Sequence, residues 1–142
     1  MQWSLLLLIL MGQCYFVMCV DHKDNMTLIK EEKTWQEALD HCRENHHDLV
    51  SITNQTQQQS VQEKVKNAKM TNEAQTDFIW LGLRYTCTLG TWFWVNGEIL
   101  SYDNWNSIQS HNCDSAAAMQ KKDPHKWVEK KDNQTFNFIC VD

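Results

Sequence analysis

The 142-residue sequence lacks the features that mark several large functional classes. No stretch approaches the ~20 consecutive apolar residues that a membrane span needs, so any membrane attachment would have to be indirect. The net charge is −5, and the basic residues form no run longer than the pairs Lys121-Lys122 and Lys130-Lys131. Because nucleic-acid sites present clustered positive charge, we expect no nucleic-acid partner.

Motifs for catalysis and for zinc are also missing. The chain has no Gly-x-Ser-x-Gly elbow, no His-Glu-x-x-His helix and no Cys-His pair free of disulfide use. A zinc site needs about three or four convergent ligands, and the cysteines are better used in disulfides. We therefore predict a protein that is not an enzyme and has no metal site. Its solvated histidines would include His41, His46, His47, His111 and His125.

The N-terminal segment has the character of an export signal. The first twenty residues carry no charged side chain and include the short apolar run from Leu5 to Met11, which is typical of a secretory signal peptide. Cleavage after Gly12 would leave six cysteines and cleavage after Cys19 would leave four. Four suit paired disulfides in an oxidising compartment. We predict a signal peptide at 1–19 and a secreted, extracellular domain at 20–142, with a retained Cys19 that links two chains as the alternative.

Three Asn-x-Thr sequons fit the same export route. They begin at Asn25, Asn54 and Asn133, and each accepts an N-glycan only if it is exposed in a secretory lumen. A chain rich in Asn and Thr also contains such triplets by chance. The three asparagines are therefore candidate glycosylation sites.

The first half of the domain is predicted to be mostly helical. After a short strand at Met26–Ile29, Thr34 and Glu37 have the spacing of a capping box. Apolar residues then recur at spacings of three and four and predict one buried helix face: Trp35, Ala38, Leu39 and Cys42. A second helix is predicted from Asn54 to Lys69, with Gln55–Gln59 as its solvated first turn.

From Phe78 onward the pattern is extended. Short runs are separated by turn residues such as Asn96-Gly97, which predicts strands. The predicted runs are Phe78–Arg84, Thr91–Val95, Ser101–Trp105, Ser115–Gln120, Lys126–Glu129 and Phe136–Val141. Two helices followed by short strands indicate an α+β domain.

Several spaced motifs agree together with one known family. They are Trp35-Gln36-Glu37-Ala38 before Cys42, then Trp80-Leu81-Gly82-Leu83, Trp94-Val95-Asn96-Gly97, Trp105, Cys113, Trp127 and Cys140. With these residues in this order, the chain from Met26 to Val141 resembles a C-type lectin-like domain. The resemblance implies an α+β fold with two helices, small antiparallel sheets and a shortened long loop. It also implies a Cys42–Cys140 disulfide and a core strand in which Gly82 allows close backbone packing.

The second disulfide of the family cannot form in its usual way here. The family pattern would join Cys113 to a cysteine five residues after Trp127, and that position is Asp132. Cys87 is the one remaining cysteine of the predicted mature chain without an assigned partner. We therefore predict a Cys87–Cys113 disulfide.

The family's calcium site is also altered. The resemblance implies a loop with a proline between acidic or amide residues, and an Asn-Asp pair after a late-strand tryptophan. Here the segment 106–112 has neither proline nor carboxylate, and the late strand has Trp127-Val128-Glu129. Calcium needs roughly 6 to 8 oxygen ligands. We therefore expect no calcium at this site and an exposed Glu129.

Three functional hypotheses follow. The first is a secreted, non-catalytic recognition module that binds an extracellular glycan or protein ligand without calcium at the usual site. The second is a calcium-dependent lectin with an altered ligand set, and the third is a subunit of a larger assembly linked through Cys19. The candidate ligand-binding residues are Tyr102, Asn104, Asn106, Asn112 and Glu129; the altered calcium set would comprise Asp103, Asn104, Asn112, Asp114 and Glu129. Trp105 and Trp127 are expected mainly to pack the interior.

Overall fold

The structure is a computed structural model that describes residues 25–45, 47–70 and 76–142. The predicted signal peptide, Cys19 and His46 lie outside the described residues. None of the described helices is long and apolar enough to cross a membrane. The two helices are α1, Trp35–Asn45, and α2, Gln55–Met70; the seven strands are β1, Met26–Lys33; β2, Asp48–Leu49; β3, Phe78–Thr86; β4, Thr91–Trp94; β5, Ser115–Gln120; β6, Trp127–Lys131; and β7, Phe136–Val141.

The described strands form one mixed sheet. Its order is β1-β7-β3-β5-β6, with β2 paired to β7 and β4 paired to β3. Most pairs are antiparallel, but β3 and β7 run parallel, with Trp80 opposite Phe138. This parallel pairing joins the small antiparallel sheets that the resemblance implied into a single seven-stranded sheet.

Helix α1 begins with the predicted capping box. The Glu37 carboxylate accepts from the N–H of Thr34 at 3.0 Å, and the Thr34 hydroxyl accepts from the N–H of Glu37 at 3.4 Å. These bonds satisfy backbone donors that a helix start leaves unpaired. The predicted apolar face is buried. From it Trp35 donates its indole N–H to the carbonyl of Leu81 in β3, at 2.8 Å, and Cys42 forms a disulfide with Cys140 in β7.

Helix α2 is fixed by a buried glutamine. Its apolar residues Val61, Val65 and Ala68 are buried. The predicted solvated first turn is wrong at Gln58, which is only 1% exposed. Its side chain accepts from the indole N–H of Trp127 at 2.9 Å and donates to the carbonyl of His125. Because both ends of this amide are hydrogen-bonded, its burial leaves neither end without a partner.

Two features of the extended half concern backbone contacts. Gly82 donates to the carbonyl of Val50 at 2.8 Å and accepts from the N–H of Val95 at 2.9 Å, so β3 passes close to two neighbouring segments. The predicted strand at 101–105 is wrong. It is reduced to one isolated bridge between Trp105 and Trp127, because this segment follows the edge of β6 for a single residue before it turns away.

Candidate ligand-binding site

Glu129 anchors the loop that precedes β5. Its carboxylate accepts from the N–H and hydroxyl of Ser110, from the N–H of Asn112 at 3.3 Å and from the hydroxyl of Ser115 at 3.0 Å. The expectation of an exposed strand residue is therefore wrong. The half-buried carboxylate is surrounded by donors of its own chain, which sequence reasoning could not find because they come from three separate positions.

These donors also act on the protonation of Glu129. Burial alone would raise the pKa of this carboxyl, but the hydrogen bonds from Ser110, Ser115 and Asn112 together outweigh it and lower the pKa below 4.5. Hydrogen bonds that favour the charged form have this effect. Glu129 is thus ionised at neutral pH and holds the loop as an anion.

The same loop is fixed on its other side by Arg84. The guanidinium lies 2.8 Å from an oxygen of Asp132, 3.8 Å from one of Asp114, and over the ring of Trp35 at 4.7 Å. Asp132 therefore stands where the family has a cysteine, and it forms an ion pair with Arg84 instead of a disulfide. The Cys87–Cys113 disulfide is present and ties the β3–β4 turn to the loop.

Two of the predicted ligand residues are occupied by internal contacts. The Tyr102 hydroxyl donates to Gln55 Oε1 at 2.7 Å, and its half-buried ring meets Trp127 edge-on. Burial raises the pKa of Tyr102, with the charge of Asp103 as a smaller cause. Asn104 donates to the carbonyl of His125 and accepts from Lys126 Nζ at 2.9 Å. The side-chain oxygens of Tyr102 and Asn104 are therefore already used in contacts within the protein.

Asn106 and Asn112 are exposed, and between them lies a residue that the sequence analysis missed. Ile108 is 94% exposed, the largest exposure among the exposed large apolar side chains of the described part. The sequence indicated this residue only as a single isoleucine among polar loop residues. Ile108 borders a cleft of about 140 Å³, which we call the loop cleft. Its lining residues are Trp105, Ser107, Ile108, Gln109, Ser110, Trp127, Val128 and Glu129.

The residues do not fit a calcium ion. Asp114 faces Arg84, the Asn104 amide contacts Lys126, and the carboxylate of Glu129 accepts from the loop and from Ser115 at the start of β5. Within the described ranges no three His, Cys, Asp or Glu side chains come together as a possible metal site. The acidic members of the altered calcium set, Asp103, Asp114 and Glu129, therefore form no such group. A cation would have to displace protein donors to gather the oxygen ligands it needs.

The three sequon asparagines are exposed. Asn54 has a second role, since its side-chain oxygen accepts from the N–H of Gln57 at 2.9 Å and caps α2. N-glycosylation uses the amide nitrogen, so this cap leaves the nitrogen available. The exposure is compatible with modification at Asn25, Asn54 and Asn133.

Comparisons with known proteins agree with this architecture. A family model described as the Lectin C-type domain matches residues 31–142. Snaclec A3 of Macrovipera lebetinus is 32% identical over 138 residues, which cover 91% of this chain and 76% of that protein. Human lithostathine has a TM-score of 0.73 at 21% identity and covers 84% of this chain and 96% of its own. CEL-IV has a TM-score of 0.72 at 20% identity, with coverages of 84% and 87%. At these identities the two structures support the fold alone, and they confirm its α+β, disulfide-stabilised character. The chain belongs to the C-type lectin domain family.

Proposed function

We propose that this protein is an extracellular, non-catalytic recognition domain that binds a glycan or a protein without calcium at Glu129. The binding face would be residues 102–112, called here the loop surface. The observation that carries the proposal is the set of donors around Glu129, from Ser110, Asn112 and Ser115. Glu129 is the one acidic residue left at the position of the family's sugar site. Its carboxylate holds the loop by hydrogen bonds instead of binding a metal ion.

The hydrogen bonds to Glu129 favour a structural role for its carboxylate over calcium binding. A carboxylate that accepts charge-assisted hydrogen bonds is well satisfied, and such bonds are about twice as strong as neutral ones. Calcium would have to replace them and recruit several further oxygens. The loop is therefore held in shape by the chain itself, and an ordered loop loses less entropy when a ligand binds.

The composition of the loop surface supports recognition. Ile108 offers an exposed apolar contact, and the exposed asparagines Asn106 and Asn112 lie on either side of it. Half-buried Tyr102 and Trp105 add aromatic surface, which contributes strongly at both sugar and protein contacts. Apolar and amide groups side by side suit a neutral ligand better than a highly charged one.

An extracellular location is supported by the two disulfides, Cys42–Cys140 and Cys87–Cys113. Disulfides persist in oxidising compartments and are rare where thiols are kept reduced. The exposed sequon asparagines and the expected signal peptide agree with this location.

The test is binding of the purified protein to a glycan array and to cell surfaces, in millimolar calcium and again in excess chelator. We expect the same ligands under both conditions, because Glu129 is held by the chain. Thermal unfolding under the two conditions should also agree, since a bound cation would stabilise the folded state by mass action.

A pair of matched variants locates the surface. Ile108→Asp places a charge on the loop surface, whereas Ile99→Asp does the same at an isoleucine that is 84% exposed outside it. We expect weaker binding for the first variant alone. Binding that disappears in chelator, or a loss of equal size in both variants, would overturn the proposal.

A further inference from the structure

A second cleft lies beside the paired ends of β1 and β7. We call it the acidic cleft, and its lining includes Asp48, Val61, Glu98 and Asp142. Its volume is about 180 Å³, and it shares no lining residue with the loop cleft. Its walls come from β2 and the residues that follow it, from the first two turns of α2, and from the turn after β4. The acidic cleft is therefore separate from the loop surface.

Part of the wall of the acidic cleft is apolar. Leu49, Val50 and Val61 line it and are at most 2% exposed. Half-buried Met26 and Val141 add further apolar surface. Contact with such a wall removes aliphatic surface of a ligand from water, which is favourable. The cleft therefore suits a ligand that has an aliphatic part.

The charged part of the wall is negative. Asp48, Glu98 and Asp142 line the cleft, and none of its described lining residues is a lysine, arginine or histidine. Asp48 uses its Oδ1 in a contact with Arg43 Nε at 3.3 Å. Within the part of the chain that the structure describes, the Glu98 carboxylate has neither a hydrogen bond nor an ion pair. The cleft is therefore complementary to a positively charged group.

The turn that carries Glu98 is fixed by the chain itself. Gly97 donates its N–H to the carbonyl of Trp94 at 3.0 Å, and Glu98 donates its N–H to Asn96 Oδ1 at 3.0 Å. The backbone of the turn is thus ordered before a ligand arrives, and this reduces the entropy that binding costs.

The hydroxyl of Ser51 is a polar group without a partner at the same wall. Its oxygen is buried and makes no hydrogen bond within the described residues, which is unfavourable for a buried hydroxyl. Ser51 lines the acidic cleft, and a change of its χ1 rotamer can turn the hydroxyl toward a ligand. A ligand that carries a hydrogen-bond donor would then satisfy it.

From these features we infer that the acidic cleft binds a lysine side chain of a protein partner. The methylene stem would lie against the apolar wall, and the ammonium group would lie among the carboxylates. A lysine side chain combines a four-carbon stem with a compact charge and three donors. This inference goes beyond the proposed function, because it assigns a second contact surface on the domain.

Two other kinds of cation fit less well. A metal ion is disfavoured because no three His, Cys, Asp or Glu side chains of the described ranges come together. An arginine binds best when its planar guanidinium meets one carboxylate through two parallel hydrogen bonds. The carboxylates here come from three separate segments, which suits donors that point in different directions.

The experiment is an NMR titration of the isotope-labelled protein, without a C-terminal tag that would cover Asp142. The probe is Nα-acetyl-lysine methylamide, and the matched control is its Nε-acetylated form, which has the same stem without the charge. We expect saturable shifts of the Glu98 N–H and the Val141 methyl groups with the charged probe alone. Added salt should weaken the binding, because it screens exposed charges. Equal shifts with the charged and neutral probes would overturn the inference.

Two further probes test the ligand class. The arginine analogue of the probe should bind more weakly than the lysine probe, and equal or tighter binding would overturn the choice of lysine. The free amine n-butylamine has the same stem and charge but no peptide groups, so it should also bind more weakly. Equal or tighter binding of this amine would overturn the assignment to a protein partner.

Matched variants test the location. Glu98→Gln removes one charge from the cleft, and Glu63→Gln removes one from the exposed face of α2 outside it. We expect the first to weaken binding about two- to five-fold, the effect of one exposed ion pair, and the second to leave it unchanged. Glu98→Lys should abolish the saturable shifts. Unchanged affinity in Glu98→Lys would overturn the inference.

A lysine of the same chain is tested as a competing occupant. Lys23 lies outside the described residues, two positions before Asn25, whose carbonyl accepts from the N–H of Asp142. Lys23→Gln should bind the lysine probe with the affinity of the parent protein. A clear rise in affinity would show that Lys23 competes for the cleft, and it would overturn the assignment to a partner.

Failure of this inference is distinguishable from failure of the proposed function. Ile108→Asp alters the loop surface and should leave the response to the lysine probe intact. Loss of the response in this variant would place the lysine contact at the loop surface and overturn the acidic cleft as its site.

Discussion

The N–H of Ser110 lies 2.9 Å from Glu129 Oε2, and the hydroxyl of Ser110 donates to the same oxygen. A single carboxylate oxygen thus fixes both the backbone and the side chain of one loop residue. Glu129 lies on β6, the strand on which the family resemblance implies metal ligands. Here the strand binds its own loop.

Glu129→Gln should weaken this anchor. The substitution removes the charge and turns one acceptor into an NH₂ group that faces the donors of Ser110 or Asn112. Leaving such donors unpaired costs about 1–3 kcal/mol. We expect a loss of that size in urea unfolding, with faster amide hydrogen exchange at Ser110. Glu63→Gln, on the exposed face of α2, is the control and should change stability little.

The stability should also depend on pH through Glu129. Since the folded-state pKa is lowered below the ordinary 4.5, its contribution is complete above that value and is lost as pH falls through the folded pKa. The unfolding midpoint should therefore decline below about pH 4.5. Glu37, whose pKa is lowered by its hydrogen bonds to Thr34, adds to the decline. Glu129→Gln should show a shallower decline, and identical profiles for the two proteins would contradict this account.

Gly82 should not tolerate a side chain. A Cβ there would lie 2.9 Å from Val95 Cγ2 and 3.0 Å from the carbonyl oxygens of Leu49 and Val50. Backbone atoms cannot move aside easily, so Gly82→Ala should cost about 1–3 kcal/mol through overpacking. Gln59→Ala at an exposed position of α2 should stay within about 0.5 kcal/mol. Equal thermal midpoints for the two variants would show that the strands separate more readily than the structure implies.

Glycosylation is best tested through the threonines of the sequons. Asn54→Gln would also remove the cap of α2, whereas Thr56→Ala removes the sequon and keeps the bond from Gln57 to Asn54. Expressed through a secretory pathway, Thr27→Ala, Thr56→Ala and Thr135→Ala should each migrate faster than the parent protein by one glycan. Treatment with a glycosidase should bring all four proteins to the same mobility. No shift for a variant would show that its asparagine is unmodified.

Local patterns gave reliable predictions. The buried face of α1 and its capping box depend on residues three or four apart, and their contacts are set by helix geometry. The Trp80 strand and the Cys42–Cys140 disulfide came from the family resemblance. Each of these features is encoded in a short stretch or in a pattern shared with relatives.

Contacts across the fold could not be predicted in the same way. The ion pair between Arg84 and Asp132 joins residues that are distant in the sequence, and no local spacing indicates it. The buried amide of Gln58 is another case, because its partners Trp127 and His125 come from the other half of the chain. At Glu129 the composition indicates few carboxylates for calcium, but the loop donors depend on backbone geometry and could not be predicted from it.

The pairing of β1 with β7 sets Met26 opposite Val141, and Asp142 donates its N–H to the carbonyl of Asn25 at 3.0 Å. Positions 25 and 142 are therefore neighbours, and neither lines the loop cleft. A carrier protein or a solid support attached at either position would therefore hold the domain from the same side. A short engineered peptide could also bridge the two positions, so that a circular permutant could be opened at the Gly90 turn with the loop surface left intact.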